Sequence, residues 1–154
     1  MMNDRQDFGV LLSLAGVTFA EELRAHLQKA GYVGFSTRTG FVLRLLSEEP
    51  LGLRRLADRM HMTPQATLKV VDAMSESGYV DRVGSAEDGR VRLVAVSERG
   101  AAALAAAQDF HERFERDLAA EIGEGPAQGV RRGLEVLAAR TAVVVPGGVR
   151  PRHH

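Results

Sequence analysis

Polar side chains in the middle of the chain could form hydrogen bonds to nucleic acid. Gln65 carries an amide that can pair with adenine, and Lys69 carries an ammonium group that can bind a phosphate or a guanine. Asp88, Arg90 and Arg92 follow in a charged segment, and the planar fork of arginine suits both phosphate and guanine. Residues of these types favour recognition of double-stranded DNA. The alternatives are that the arginines reflect a GC-rich genome and that Asp88 and Arg90 belong to an ordinary solvated turn.

Gln65 and Lys69 lie on a predicted helix. Thr63 and Pro64 are residue types preferred at the cap and at the first position of a helix. Apolar residues then recur at helical spacing, which leaves a second face available to DNA. The apolar stripe is Thr67, Val70, Val71 and Met74, and the second face is Gln65, Leu68, Lys69, Asp72 and Ala73.

A β hairpin is predicted after that helix. Gly78 ends the helix, and residues 79–83 and 91–96 alternate between apolar and polar side chains, the second segment less strictly. The two strands are joined at residues 84–89, and Arg90 lies at the tip of the hairpin.

Five further helices are predicted, so the fold class is mainly α with a small β wing. Ser36 and Ser97 are positioned to cap the second and fifth helices, and Gly31 to end the first. The chain is predicted to break at Gly125-Pro126 before the sixth helix. The apolar positions at helical spacing are, in the first helix, Phe8, Leu11, Leu12, Ala15, Phe19, Leu23, Leu27 and Ala30; in the second, Phe41, Val42, Leu45 and Leu46; in the third, Leu53, Leu56, Ala57 and Met60; in the fifth, Leu104, Phe110, Phe114 and Leu118; and in the sixth, Val130, Leu134, Leu137 and Ala138.

The composition limits the class of protein. The chain has 154 residues, which suits one compact subunit, and its formal net charge of zero does not itself argue for nucleic acid. It has no cysteine, which excludes disulfides and thiolate metal sites. Because no apolar run approaches the roughly 20 residues that span a bilayer and the N-terminus lacks a secretory signal, we expect a cytoplasmic protein without membrane contact.

Metal and catalytic sites are not predicted. His111 has Glu115 as a partner at a helical spacing suited to a metal, but a zinc site needs three or four converging ligands. Ser75 and Ser77 have no histidine base near them in the sequence, and no glycine-rich phosphate loop follows a strand. We therefore expect neither an enzyme nor a cofactor.

The order of these segments resembles the MarR family of winged helix-turn-helix transcription regulators. The segments that carry the resemblance are residues 53–57, 63–74, 78–82, 88–90 and 97–100. The resemblance implies a single subunit with a winged helix-turn-helix part at residues 34–97 and dimerisation helices at 4–31 and 98–142. The residues themselves predict a flexible tail at 146–154. The resemblance also implies a homodimer that binds an inverted-repeat operator, usually as a repressor. In the family, binding of a small molecule, often aromatic or phenolic, releases the protein from its operator.

Carried over to this chain, the resemblance assigns its DNA contacts to the capped helix and the wing. Residues 63–69 fall where the family's recognition helix enters the major groove, namely Thr63, Pro64, Gln65, Ala66, Leu68 and Lys69. Arg90 falls where the wing arginine reaches the minor groove, with Asp88 holding it through a charge-assisted bond and Arg92 nearby. A narrow minor groove has enhanced negative potential, so an arginine gains affinity there without base-specific contacts.

The chain departs from the family at one pair of positions. The family commonly has an apolar residue followed by a hydroxyl residue where this chain has Thr67 and then Leu68. A phosphate-binding hydroxyl would then be missing, while Leu68 could touch a thymine methyl group.

The resemblance also implies an effector pocket between the dimer helices and the winged part. Its candidate residues lie on the first, second and fifth helices, and they are Phe19, His26, Phe41, Phe110 and His111. Pockets are mostly apolar with a few polar groups, which this mixture satisfies, and Arg38 or Arg44 could neutralise an acidic ligand. The alternative for each phenylalanine is ordinary core packing.

Two interpretations of function stay open at this stage. The first is a ligand-responsive, dimeric DNA-binding regulator, and the apolar excess on the first, fifth and sixth helices supports its dimerisation. The alternative is a winged-helix module for protein partners without sequence-specific DNA binding, which the neutral charge and Leu68 favour. The salt dependence of binding separates them, because counterion release requires phosphate contacts.

Overall fold

The computed structural model describes residues 5–84 and 92–140. The described chain forms six helices and three short strands, and the fold is mainly α with a small sheet, as predicted. The elements are α1 (Phe8–Lys29), α2 (Thr37–Glu48), β1 (Leu51–Gly52), α3 (Leu53–Met60), α4 (Pro64–Glu76), β2 (Val80–Gly84), β3 (Arg92–Val96), α5 (Glu98–Ile122) and α6 (Glu124–Ala138).

Hydroxyl side chains begin three of the helices, as predicted. The Ser36 hydroxyl accepts a hydrogen bond from the Thr39 amide at 3.2 Å, and the Thr39 hydroxyl accepts one from the Ser36 amide at 3.2 Å, which completes a capping box. Thr63 and Ser97 accept the corresponding amide bonds at the starts of α4 and α5. These caps fix where each helix begins.

The sheet has three antiparallel strands in the order β1-β3-β2, whereas the sequence predicted only two. Val80 pairs with Val96 and Gly84 with Arg92, so the predicted hairpin strands are present. Leu51 also pairs with Val94 and buries its side chain. Strand β1 was missed because it has two residues, too few to show any alternation.

The break before α6 lies at Gly123, so its prediction at Gly125-Pro126 was wrong. Gly123 has a φ of +95°, a backbone conformation that favours glycine, and the helix has already begun at Glu124. Pro126 is therefore the third residue of the helix. Amides in the first turn have no partner within the helix, so proline is tolerated there.

One apolar core joins α1, α2, α3, α4, α5 and the sheet. Its fully buried side chains include Leu23 and Leu27 from the C-terminal half of α1, Leu45 from α2 and Leu56 from α3. Thr67, Val71 and Met74 are buried and Val70 is half-buried, so the predicted inner stripe of α4 is confirmed.

Two helices keep large apolar side chains outside this core. The N-terminal half of α1 exposes Phe8, Val10, Leu11, Leu12, Leu14 and Val17, and α6 exposes Val130, Leu134, Val136 and Leu137. In α6 no residue is buried within the subunit. No helix in the described part of the chain is both long and apolar enough to cross a membrane.

The first turn of α5 lies directly against the end of α4. The Tyr79 carbonyl accepts a hydrogen bond from the Ser97 amide at 3.1 Å. Gly100 packs so closely there that a Cβ atom on it would lie 2.0 Å from the Tyr79 carbonyl oxygen. Only glycine permits this approach of helix to backbone.

Gly100→Ala should therefore destabilise the fold. The added Cβ atom would overlap with backbone, which cannot rotate away. We therefore expect the free energy of unfolding to fall by about 3 kcal/mol, a value typical of severe overpacking. In a chain of this size that lowers the melting temperature by about 10 °C in a circular dichroism melt.

The matched control is Gly129→Ala in α6, where an added Cβ would meet nothing within 4 Å in the subunit. Alanine has the higher helix propensity, so this variant should melt at or slightly above the wild-type temperature. Equal melting temperatures for the two variants would contradict the close approach at Gly100.

Candidate nucleic-acid interface

Helix α4 presents the predicted polar face to solvent. Gln65, Leu68, Lys69, Asp72 and Ala73 are all exposed. Thr63 and Pro64 at the start of the helix are also exposed, whereas Ala66 is half-buried. The helix therefore projects a continuous outer face of about two and a half turns, with its N-terminus free to approach an anion.

The unusual order of Thr67 and Leu68 has a clear structural result. Thr67 is fully buried, and its hydroxyl donates to the Thr63 carbonyl at 2.9 Å. Leu68 is 41% exposed. The hydroxyl is consequently used inside the subunit, and an apolar side chain lies on the outer face.

Asp72 of this face forms an ion pair that no sequence pattern predicted. Arg82 of β2 donates to the Asp72 carboxylate of α4, and both side chains are partly exposed. Exposed ion pairs stabilise a fold by at most about 1 kcal/mol, so the main effect of this pair is on the position of the Arg82 side chain. It holds a guanidinium group beside the outer face of α4. The two residues are on different elements, so no sequence periodicity links them.

The predicted wing is described at its base. Arg92 begins β3, pairs with Gly84 across the hairpin and is exposed. Asp88 and Arg90 lie outside the described residues. The Asp72–Arg82 ion pair joins the base of the wing to α4.

Four of the five candidate effector residues form an aromatic cluster between α1 and α5. The Phe19 ring lies 5.1 Å from the His111 ring and 5.6 Å from the Phe110 ring, and His26 lies 5.3 Å from Phe110. Phe114, which was not predicted, completes the cluster at 5.0 Å from Phe19. These rings pack on one another.

Phe41, the fifth candidate, is half-buried and packs against the main core. The Arg113 guanidinium lies 3.1 Å from the ring nitrogens of His26 and so ties α5 to α1 at the rim of the aromatic cluster.

An open cleft of about 410 Å³ lies next to the aromatic cluster, and its walls are polar. It is lined by Arg44, Gln108, His111, Glu112, Glu115 and Arg131. Glu115 is already paired with Arg131 at 2.8 Å. Burial lowers the pKa of His111, and Arg44 lowers it further against the opposing effect of Glu115, so the ring favours its neutral form. Within the described ranges no group of acidic or histidine side chains could hold a metal ion.

Comparisons with known proteins agree with this geometry. The family model described as "MarR family" matches residues 33–91. The exopolysaccharide II synthesis transcriptional activator ExpG of Rhizobium meliloti (strain 1021) is 27% identical over 108 residues, which are 70% of this chain and 56% of that protein. The chain therefore matches little more than half the length of that relative.

Solved structures share the fold over most of the chain. A MarR family transcriptional regulator from Rhodococcus sp. RHA1 superposes with a TM-score of 0.65 at 25% identity, over 92% of this chain and 99% of that one. The transcriptional repressor CouR, bound to a 23-mer DNA duplex, gives a TM-score of 0.68 at 21% identity, over 86% and 92% of the two chains.

Proposed function

Because the chain belongs to the MarR family of winged helix-turn-helix transcription regulators, we propose that it binds an inverted-repeat operator as a homodimer. The observation that carries this proposal is the exposed outer face of α4, where Gln65 and Lys69 are of the types that contact bases and phosphates. The solved structure of the similar repressor CouR contains a DNA duplex, which supports the same use of this fold.

We assign three kinds of contact to the interface. Gln65 reads a base through its amide, Leu68 meets a thymine methyl group, and Lys69 binds a phosphate or guanine. Thr63, Pro64 and Ala66 bring the start of α4 against the duplex. At the wing, Arg90 enters the minor groove with Asp88 as its partner, and Arg92 approaches the adjacent backbone.

The proposed direction of regulation is repression, by occupancy of an operator that overlaps a promoter. A reporter gene placed behind the operator should be less active when the protein is present. Higher reporter activity in the presence of the protein would instead place it with activators such as ExpG, which it resembles.

The outer face of α4 is tested by two substitutions with different expected effects. Lys69→Ala should weaken binding to every duplex by about fivefold. It should also reduce the slope of the logarithm of the binding constant against the logarithm of the salt concentration by about one, because one phosphate contact is lost. Leu68→Ala should weaken binding only where a thymine is contacted. Replacing that thymine by uracil should cost the wild type about fourfold, the value of one methyl group, and should cost Leu68→Ala nothing further.

The measurement is fluorescence anisotropy at two salt concentrations, with the duplex that the wild type selects from a random library and with a scrambled duplex. The matched control is Lys29→Ala, because Lys29 is the other lysine of the chain and lies at the end of α1. If the wild type showed flat salt dependence and no selectivity, the protein-partner function would replace DNA binding.

Dimerisation is proposed from the apolar surfaces of α1 and α6. Several large side chains on each helix are 37% to 74% exposed in the subunit, more than an isolated winged domain would leave in water. A two-fold axis would then place two copies of α4 in successive major grooves about 10 bp apart.

Leu134→Glu should shift the protein from dimer to monomer at micromolar concentration, because a carboxylate would be buried without a partner. Sedimentation equilibrium measures the shift. Gln128→Glu is the control, since it adds the same charge to the same helix beside Glu124, away from the apolar face. A wild type that sediments as a monomer would refute the dimer.

We further propose that a small aromatic or phenolic acid binds in the cleft beside the aromatic cluster and releases the DNA. In this cleft Arg44 offers a cation and the neutral His111 ring offers a hydrogen-bond partner, and His111 also stacks on Phe19 of the aromatic cluster. The cleft opens between α2 of the winged part and α5, so an occupant can alter their separation.

Isothermal titration calorimetry should detect binding of a member of a benzoate and phenol panel, and Arg44→Gln should weaken the carboxylates by about tenfold while leaving neutral phenols unchanged. The control is Arg54→Gln on the exposed side of α3. If Arg44→Gln bound a carboxylate as tightly as the wild type does, Arg44 would not be part of the site. If no ligand of the panel bound the wild type, this effector class would be rejected.

A further inference from the structure

Arg99 joins three helices at one point. It lies in the first turn of α5, and its Nη2 donates to the Gly31 carbonyl at 2.6 Å. Its Nε donates to the Ser77 carbonyl at 3.1 Å. Gly31 follows α1, and Ser77 is the C-cap of α4, so a single guanidinium group links the ends of α1 and α4 to the start of α5.

Two tyrosine rings hold this guanidinium in place. Its central carbon lies 5.1 Å from the centre of the Tyr32 ring and 5.6 Å from that of Tyr79, within the range of cation–π attraction. The Tyr79 hydroxyl donates to the Val33 carbonyl at 2.6 Å. Tyr79 is almost fully buried, so this second bond also ties the end of α4 to the segment after α1.

The chemistry of the junction requires the fork of arginine. The two carbonyl groups are at the C-terminal ends of helices, where the helix dipole favours a cation. A guanidinium group offers separate N–H groups in a fixed plane and can satisfy both acceptors at once, whereas a lysine has one nitrogen on a flexible stem. The Arg99 Cδ would lie 3.2 Å from a Cβ atom on Gly78, which has a φ of +79°. The turn after α4 is thus shaped to admit the arginine side chain.

We propose that Arg99 is a positioning residue that fixes the orientation of the recognition helix α4 relative to α1 and α5, and thereby fixes the half-site spacing that the dimer accepts. The inference rests on the proposed function, because it takes α4 as the DNA-reading helix and α1 and α6 as the dimer helices, with α5 leading from the Arg99 contacts to α6. In such a dimer the two copies of α4 are held apart by the junctions at Arg99.

The expected consequence is a change in tolerance of spacing. Each base pair inserted between half-sites moves them apart by about 3.4 Å and rotates one against the other by about a tenth of a turn. A dimer with rigid junctions cannot follow that displacement. A dimer with loosened junctions can follow it, at the cost of weaker binding to the best spacing.

The test is anisotropy titration of the wild type and of Arg99→Gln with the inverted repeat that the wild type selects, and with repeats lengthened or shortened by one base pair. We expect the wild type to lose about tenfold or more in affinity per base pair, and Arg99→Gln to lose threefold or less, from a starting affinity about tenfold lower. Arg99→Lys, which keeps the charge but reaches one acceptor, should fall between them and also covers the case in which Arg99→Gln does not fold.

Val94→Ala is the control for general destabilisation, because Val94 is buried in the sheet and is not part of the Arg99 junction. If Val94→Ala lowers the melting temperature as much as Arg99→Gln does, it should still lose as much affinity per added or removed base pair as the wild type. This loss of affinity is called the spacing penalty below. The proposal is overturned if folded Arg99 variants keep the wild-type spacing penalty, or if Val94→Ala loses it equally. A wild type that selects no repeat at all would reject the proposed function, and this inference with it.

Discussion

The fold depends on the contact between the start of α5 and the end of α4. Three neighbouring residues make it: Ser97 caps α5 and bonds to the Tyr79 carbonyl, Arg99 reaches the ends of two other helices, and Gly100 leaves the space that the backbone occupies. Each of the three has a different physical role, namely a hydrogen bond, a forked cation and an absent side chain. Because the three residues lie within four positions of the sequence, one short segment connects α1 and the start of α5 to the winged part.

These polar and close backbone contacts add to the apolar core that already packs the long helices against the winged part. The C-terminal half of α1 is buried in the core through Leu23 and Leu27, while its N-terminal half exposes a row of large apolar residues. One helix therefore serves two environments. The boundary between them lies near Phe19, where the aromatic cluster begins and where α5 leaves the core together with α1.

The sequence predicted the parts of the fold that follow from local rules. Caps at Ser36, Thr63 and Ser97 and the inner stripe of α4 were all found where expected, because capping and helical periodicity depend on neighbouring residues. Strand β1 was missed because two residues carry no periodicity. The position of the break before α6 was wrong because Gly123 and Gly125 look alike in sequence and differ only in their backbone angles.

The candidate site was predictable only in part, for a related reason. The outer face of α4 follows from spacing within one helix. The Asp72–Arg82 pair and the contacts of Arg99 join different elements, and Arg99 bonds to backbone carbonyl groups that every residue possesses. Nothing in the residue types at positions 31 or 77 marks them as its partners. Such contacts depend on the assembled fold and not on any local pattern.

The Asp72–Arg82 ion pair also affects how the protein would move among DNA sites in a cell. Because the charges of Asp72 and Arg82 offset one another, Arg82 adds little to the attraction of this surface for phosphates in general. A genome supplies millions of irrelevant duplex segments, which act as a sink for any strongly cationic protein. Under the proposed function, a nearly neutral regulator would stay unbound for more of the time, dissociate quickly from wrong segments, and reach its target with fewer molecules per cell.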